Sequence, residues 1–225
     1  MDRANPSFLV DESLLANPLT PPAELPSRSE RLPFTIRAEA GDRGRDAVVL
    51  LAQSRLDHEP VGTMRIQSNA HGPLPLEASV ALPPEMAGCR LAEATQLAVR
   101  DGLMGRAVKV ALCKALLTYC RAAAIDWVVI ATRAPLDRDF EAMLFDDVHG
   151  AHETFPMTHL DGQAHRLMAK RVASAQRRWA EVQHPLYGCM FETQHPDIDV
   201  TPRPSRASGH RPKGVDQIAL LPDEN

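Results

Sequence analysis

Apolar and polar positions divide the chain into three stretches of unequal character. Residues 1–33 carry Pro6, Pro18, Pro21, Pro22, Pro26 and Pro33 among Ser, Asn, Glu and Arg, a spacing in which no helical or strand periodicity survives. Residues 201–214 return to the same kind of composition. Between these stretches the pattern is regular. Residues 34–37 read as a short strand, and 47–52 form a continuous apolar run of strand length. After a polar turn at 56–60, residues 61–66 form a further strand, so the last two predict an antiparallel hairpin. A proline-rich connection occupies 71–89, and 91–99 is strand-like. From Gly105 the spacing predicts a long helix. Val108, Ala111, Leu112, Ala115, Leu116 and Tyr119 make its core face, with Arg106, Lys109, Lys114 and Arg121 falling between them as a basic face. Residues 127–132 read as a buried strand, and Pro135 opens a helix that continues to 145. Mixed turn and strand follow at 155–165, then a last strand at 165–172 and an amphipathic helix at 173–183.

Strands followed by β-α-β-α-β predict a mixed sheet with helices packed on it. The expected organisation is a flexible tail over 1–33, one domain over 34–200 and a second flexible tail over 201–225, with short apolar pieces at 8–10 and 218–221.

Composition narrows the function classes. A chain of 225 residues supports one domain with a sizeable core. The net charge of −4 gives no basic field for nucleic acid. Nothing resembles a basic leader followed by an apolar run, and no stretch approaches the ~20 apolar residues of a membrane span. Cys89, Cys113, Cys120 and Cys189 form no C-x-x-C and stand at no zinc-ligand spacing with histidine, which points to reduced thiols in a cytoplasmic protein. His149 and His152 lie near Asp146 and Asp147, but Gly150 argues for a loop rather than a metal site. His159 and His165 are expected to flank a turn at Asp161 and Gly162 as solvated loop residues. No serine or cysteine has a nucleophile-elbow context.

Four motifs stand in order on these elements: G-T-M-R at 62–65, L-A-E-A-T-Q-L-A-V at 91–99, W-V-V-I-A-T-R-A-P-L-D-R-D-F-E at 127–141, and H-P-L-Y at 184–187 with H-P-D-I at 195–198. Together they resemble the bacterial N-acyl amino acid synthases (the FeeM type) and the acyl-homoserine-lactone synthases, within the GNAT superfamily of acyl-CoA N-acyltransferases. The resemblance covers about residues 48–198. It implies an α/β (α+β) fold with a mixed, mostly antiparallel sheet whose central strands, 91–99 and 127–132, splay apart around a thioester. It also implies an acyl donor that is acyl-CoA or the acyl-phosphopantetheine of an acyl carrier protein, a small-molecule amine acceptor such as an amino acid, and no metal.

Carried over by position, the resemblance makes Glu93 the acid/base group and Arg65 either its structural partner or the clamp for an acceptor carboxylate. Backbone groups of Leu97, Ala98 and Val99 would hold the pantetheine and polarise the thioester carbonyl. Arg100, Gly102, Gly105 and Arg106 would receive the phosphate at the start of the long helix. Lys170, Arg171, Arg177 and Arg178, with Arg106, Lys109 and Lys114, would meet an acidic carrier, and the connection 73–86 would line an acyl tunnel. Three departures accompany the likeness. Residues 38–47 are too few for the two helices that relatives place there. Gln96 stands where arginine is common. Phe140 stands where many GNAT enzymes have a tyrosine that protonates the leaving thiolate. These departures favour the alternative of a non-catalytic module that binds acyl carrier or phosphopantetheine.

Overall fold

The computed structural model describes residues 28–41 and 47–203; of the tails expected at 1–33 and 201–225, residues 1–27 and 204–225 lie outside the described residues. Among the described residues nine strands form one sheet: β1 Phe34–Ala40, β2 Ala47–Ser54, β3 Pro60–Ser68, β4 Leu91–Val99, β5 Trp127–Thr132, β6 Asp146–Asp147, β7 Thr154–Met157, β8 Gln163–Arg171 and β9 Ile198–Arg203. Their order is β6-β8-β5-β4-β3-β2-β1-β9, with β7 also paired to β8. Only β4–β5 and β1–β9 run parallel, so the sheet is mixed and mostly antiparallel, as the sequence pattern predicts.

Helix α1, Gly102–Ala122, covers one face of this sheet. Val108, Leu112, Ala115 and Leu116 pack on Ile36, Leu50, Met64 and Ile66, the inward positions of alternating strands. Gly62 makes the approach possible, because a Cβ there would stand 2.6 Å from the Val108 side chain. The helix begins at Gly102, one turn earlier than the sequence suggests. Helix α2, Leu136–Ala142, stops short of residue 145, and α3 spans Ala175–Glu181.

The opposite face is covered by the proline-rich connection. Leu74, Leu76, Val80 and Met86 bury themselves against Leu91, Val129, Met157 and Leu167 as a second core. Ser79 Oγ ties the connection to the turn after β7, lying 3.0 Å from Thr158 Oγ1 and accepting the Thr158 N–H at 2.9 Å.

Two further features close the domain. A π-helical turn, Gly188–Glu192, follows α3, and β9 then adds to the edge of β1. Residues 28–33 run beside 194–197, where Glu30 N–H donates to the Gln194 carbonyl and Leu32 N–H to Asp197 Oδ2. No described helix is long and apolar enough to cross a membrane.

Candidate active site

Strands β4 and β5 pair only through Leu91–Trp127, Ala92–Val128 and Glu93–Val129, and then part. The cause lies in β4. Between Ala98, opposite Thr63, and Thr95, opposite Arg65, β4 holds one residue more than β3, a β-bulge centred on Gln96 at φ +50. The bulge bends β4 away from β5 and opens a cavity of about 50 Å³ lined by Met64, Ala94, Leu97, Ile130, Leu136 and Phe140. Phe140 thus lies at the gap and offers it no hydroxyl.

The ladder decides which backbone groups face that gap. Arg100 N–H donates to the Val61 carbonyl while Gly62 stands opposite Val99, so Gly62–Val99 is a non-hydrogen-bonded pair. Val99 therefore turns its N–H and C=O toward the gap, whereas the next pair commits Ala98 to Thr63. Of the two, only Val99 offers an amide to a bound thioester arm; Leu97 lies within the bulge.

The start of α1 follows directly. Asp101 at the N-cap makes no side-chain cap, leaving the first-turn amides of an exposed helix end open to a ligand. Gly105 is required there: a Cβ would stand 1.5 Å from the Arg100 carbonyl oxygen, so the loop lies flat on the helix. Arg100 and Arg106 are both exposed beside this end, as are Leu103 and Met104.

Glu93 is the last residue of β4 paired with β5, at the vertex of the splay, and faces away from α1. It is wholly buried. Its Oε2 accepts the Leu76 N–H at 3.2 Å, and its Oε1 lies 3.0 Å from His159 Nε2. That approach lacks hydrogen-bond alignment, so Glu93 Oε1 and both ring nitrogens of His159 are buried without a hydrogen-bond partner. Burial raises the Glu93 carboxyl to about 7, against the Leu76 amide, which lowers it, and with the nearby Glu77 adding to the rise. Burial also lowers His159, helped by His165. His159 is thus no solvated loop residue. The turn through Asp161 and Gly162, both at positive φ, folds it back over β4. Arg65 lies on the same sheet face, opposite Thr95 and two pairs along from Gln67–Glu93, but the contacts of Glu93 run to Leu76 and His159.

Arg166 braces the wall behind the splay. From β8 it donates to Asp147 at 3.0 and 2.9 Å, to Asp137 at 3.1 Å and to Glu141 at 2.7 Å, fastening α2 to the sheet. His149 packs on Phe155, and among the described residues no group of three His, Cys, Asp or Glu side chains could hold a metal ion.

A family model described as N-acyl amino acid synthase FeeM matches residues 12–170. The chain belongs to the N-acyl amino acid synthase FeeM family. The matched span includes β3, β4, the start of α1 and the splay, and it makes the chain an acyltransferase. It begins at residue 12, inside the stretch whose composition reads as a tail. Among solved structures, FeeM from uncultured soil microbes is 20% identical over 62% of this chain and 75% of its own, with a TM-score of 0.49. A CoA-dependent acyl-homoserine lactone synthase, BjaI, solved with SAM and isopentyl-CoA, is 15% identical over 76% and 93%, at 0.46. A putative N-acetyltransferase from Lactobacillus plantarum is 14% identical over 58% and 72%, at 0.40. No curated protein sequence matches significantly.

For this FeeM-family chain, two of the seven cations expected to meet a carrier protein, Lys114 and Lys170, are buried, while Arg106, Arg171 and Arg177 are exposed. Lys114 is buried and donates to the Cys189 carbonyl at 2.6 Å and to the Thr193 carbonyl, holding the π-helical turn. Lys170 is buried beneath Phe145 and Trp179 and donates to the Met143 carbonyl. Lys109 pairs with Asp139, Arg177 with Glu181 and Arg178 with Asp146. Helical spacing cannot reveal a later loop that covers part of a face, and residue 114 lies one turn from both Ala111 and Thr118 beside the core stripe.

Proposed function

We propose that the chain transfers an acyl group from a thioester, acyl-CoA or the acyl-phosphopantetheine of a carrier protein, to the amine of an amino acid by direct attack. The observation that carries this reading is the meeting of three partnerless buried polar atoms, Glu93 Oε1 and the two His159 ring nitrogens, at the vertex of the splay. Buried polar groups without partners cost about 1–3 kcal/mol each, and an incoming ammonium would donate to Glu93 Oε1 and to the unprotonated ring nitrogen of His159.

The roles follow from position. Donor phosphates lie against the open first turn of α1, flanked by Arg100 and Arg106. The pantetheine arm pairs with the outward backbone of Val99, and an amide in the bulge at Leu97 polarises the thioester carbonyl. The acceptor's amine lies at the vertex of the gap beside Glu93, with Arg65 clamping its carboxylate. Glu93, ionised above about pH 7, takes the proton from the ammonium, with His159 Nε2 3.0 Å from the accepting carboxylate. The freed amine attacks the thioester carbon. The C–N bond forms, the C–S bond breaks, and the proton that the new amide nitrogen sheds passes through solvent to the leaving thiolate, because Phe140 supplies none.

Purified protein incubated with acyl-CoA, charged carrier protein and an amino acid pool should yield N-acyl amino acids by mass spectrometry. Glu93→Gln should lower the rate about 100-fold while donor binding persists. Equal rates for Glu93→Gln and the unaltered protein would refute the assignment of Glu93. Amide products absent under every condition would refute the reaction.

A further inference from the structure

The structure assigns Cys189 as the reactive thiol of this chain, with His195 as its base and a hydroperoxide as the reagent that converts it to a sulfenic acid. Three segments meet to make the pair. Cys189 sits in the π-helical turn Gly188–Glu192, a backbone geometry frequent at functional sites. Lys114 fixes that turn from α1 by donating to the Cys189 and Thr193 carbonyls. His195 follows the turn and is buried at 8% exposure, and its Nε2 lies 3.9 Å from Cys189 Sγ. The segment 28–33 runs alongside and places the Glu30 carbonyl 3.0 Å from His195 Nδ1. A carbonyl only accepts, so the neutral ring carries its proton on Nδ1 and turns the Nε2 lone pair to the thiol. Nucleophile, base and orienting group are thus all present. His195 leads into β9, and β1, β2 and β3 stand between that strand and the splay, so the pair is separate from the acyl-transfer site.

The other cysteines lack this arrangement. Cys113 and Cys120 are buried within α1, and burial pushes both thiols up to about 12. Cys89 is half-buried like Cys189, but its Sγ donates to the Glu85 carbonyl at 3.5 Å, an acceptor too weak to remove the proton. Cys189 therefore combines access with a base. Lys114 adds positive charge near the sulfur: burial lowers its ammonium, and a thiolate at Cys189 opposes that lowering. Such a site suits a hydroperoxide, a small reagent that must be given a proton as its O–O bond breaks. The thiol passes its proton to His195 Nε2, and the sulfur attacks one peroxide oxygen. The S–O bond forms and the O–O bond breaks. Its electron pair goes to the departing oxygen, which takes the proton from the imidazolium and leaves as water, or as an alcohol from an alkyl hydroperoxide. Sulfur is oxidised and the peroxide reduced, with no further reagent.

The test compares the cysteines of the whole, folded, reduced chain. Limiting iodoacetamide measures nucleophilicity, and hydrogen peroxide with a dimedone trap reports sulfenic acid, each read by peptide mass spectrometry. Cys189 is expected to alkylate about tenfold faster than Cys89 or more, and to carry the dimedone adduct. In His195→Asn the amide can still donate to the Glu30 carbonyl but offers no base. The Cys189 rate should then fall to that of Cys89, with a cooperative melt confirming the fold. Cys89 alkylating as fast as Cys189 in the unaltered chain would overturn the assignment of the thiol, and that comparison needs no variant. A Cys189 rate unchanged in folded His195→Asn would overturn the base. Rapid alkylation of Cys189 without any dimedone adduct would overturn the peroxide as its reagent.

Discussion

Glu93 and Lys170 place opposite pH dependences on one sheet. Glu93 has a carboxyl raised from 4.5 to about 7 by burial. Between those values the folded state holds a proton that the unfolded state has lost, so this group's contribution falls as pH rises from 4.5 to 7 and stays low above. Lys170 is drawn by burial from 10.5 to about 7, against the two aromatic rings that favour its ammonium. Its contribution is unfavourable below 7 and recovers as pH climbs toward 10.5. Glu93→Gln should therefore stabilise the protein by about 1–3 kcal/mol at pH 8 and by little at pH 4. Lys170→Met should stabilise it at pH 7, with the gain fading by pH 10.5. Urea melts of both variants across this range read the two slopes, and a Glu93→Gln advantage that did not grow between pH 4 and 8 would contradict a buried, neutral carboxyl. The same proton gives the reaction its profile: activity should rise through about pH 7 as Glu93 ionises.

At the scale of elements, most strands were readable because alternation and apolar runs record burial directly, but β6 and β9 were not. The features that make the site were not, because they are set by backbone conformation and by contacts distant in sequence. Glu93 could be found as one acid in an apolar strand. His159 could not, since the β7–β8 turn brings it across 66 residues of chain to a carboxylate that its own neighbours do not signal. The bulge at Gln96 is equally silent, because glutamine carries no preference for positive φ. The glycines at the start of α1 were legible as a loop but not in their separate duties. Gly102 adopts φ +85 with open space at its Cβ, whereas Gly105 admits the Arg100 carbonyl against the helix. Gly105→Ala should consequently cost about 2 kcal/mol or more and weaken donor binding. Gly102→Ala should cost about 1 kcal/mol through backbone strain alone. A Gly105→Ala protein with unchanged melting and donor affinity would show that the loop does not lie flat on α1.

Across the whole molecule, residues far apart in sequence are fastened at one point, Asp197. Its carboxylate accepts the Leu32 N–H at 2.8 Å and the Arg55 guanidinium from the β2–β3 turn, while its backbone carbonyl accepts Ile36 N–H at 2.8 Å. The carboxylate is nearly buried although Arg55 is not, so its loss leaves an amide without a partner rather than merely removing a surface ion pair. This junction lies at the opposite edge of the sheet from α2 and the splay, and β1, β2 and β3 stand between it and β4. Stability and transfer should therefore separate here. Asp197→Ala is expected to lower stability by about 1–3 kcal/mol in urea melts and to loosen residues 28–33 in hydrogen exchange. Its turnover of acyl donors under folded conditions should match that of the unaltered protein. A loss of turnover at unchanged population of folded protein would mean that the edge made by β1 and β9 reaches the gap between β4 and β5 through the sheet itself.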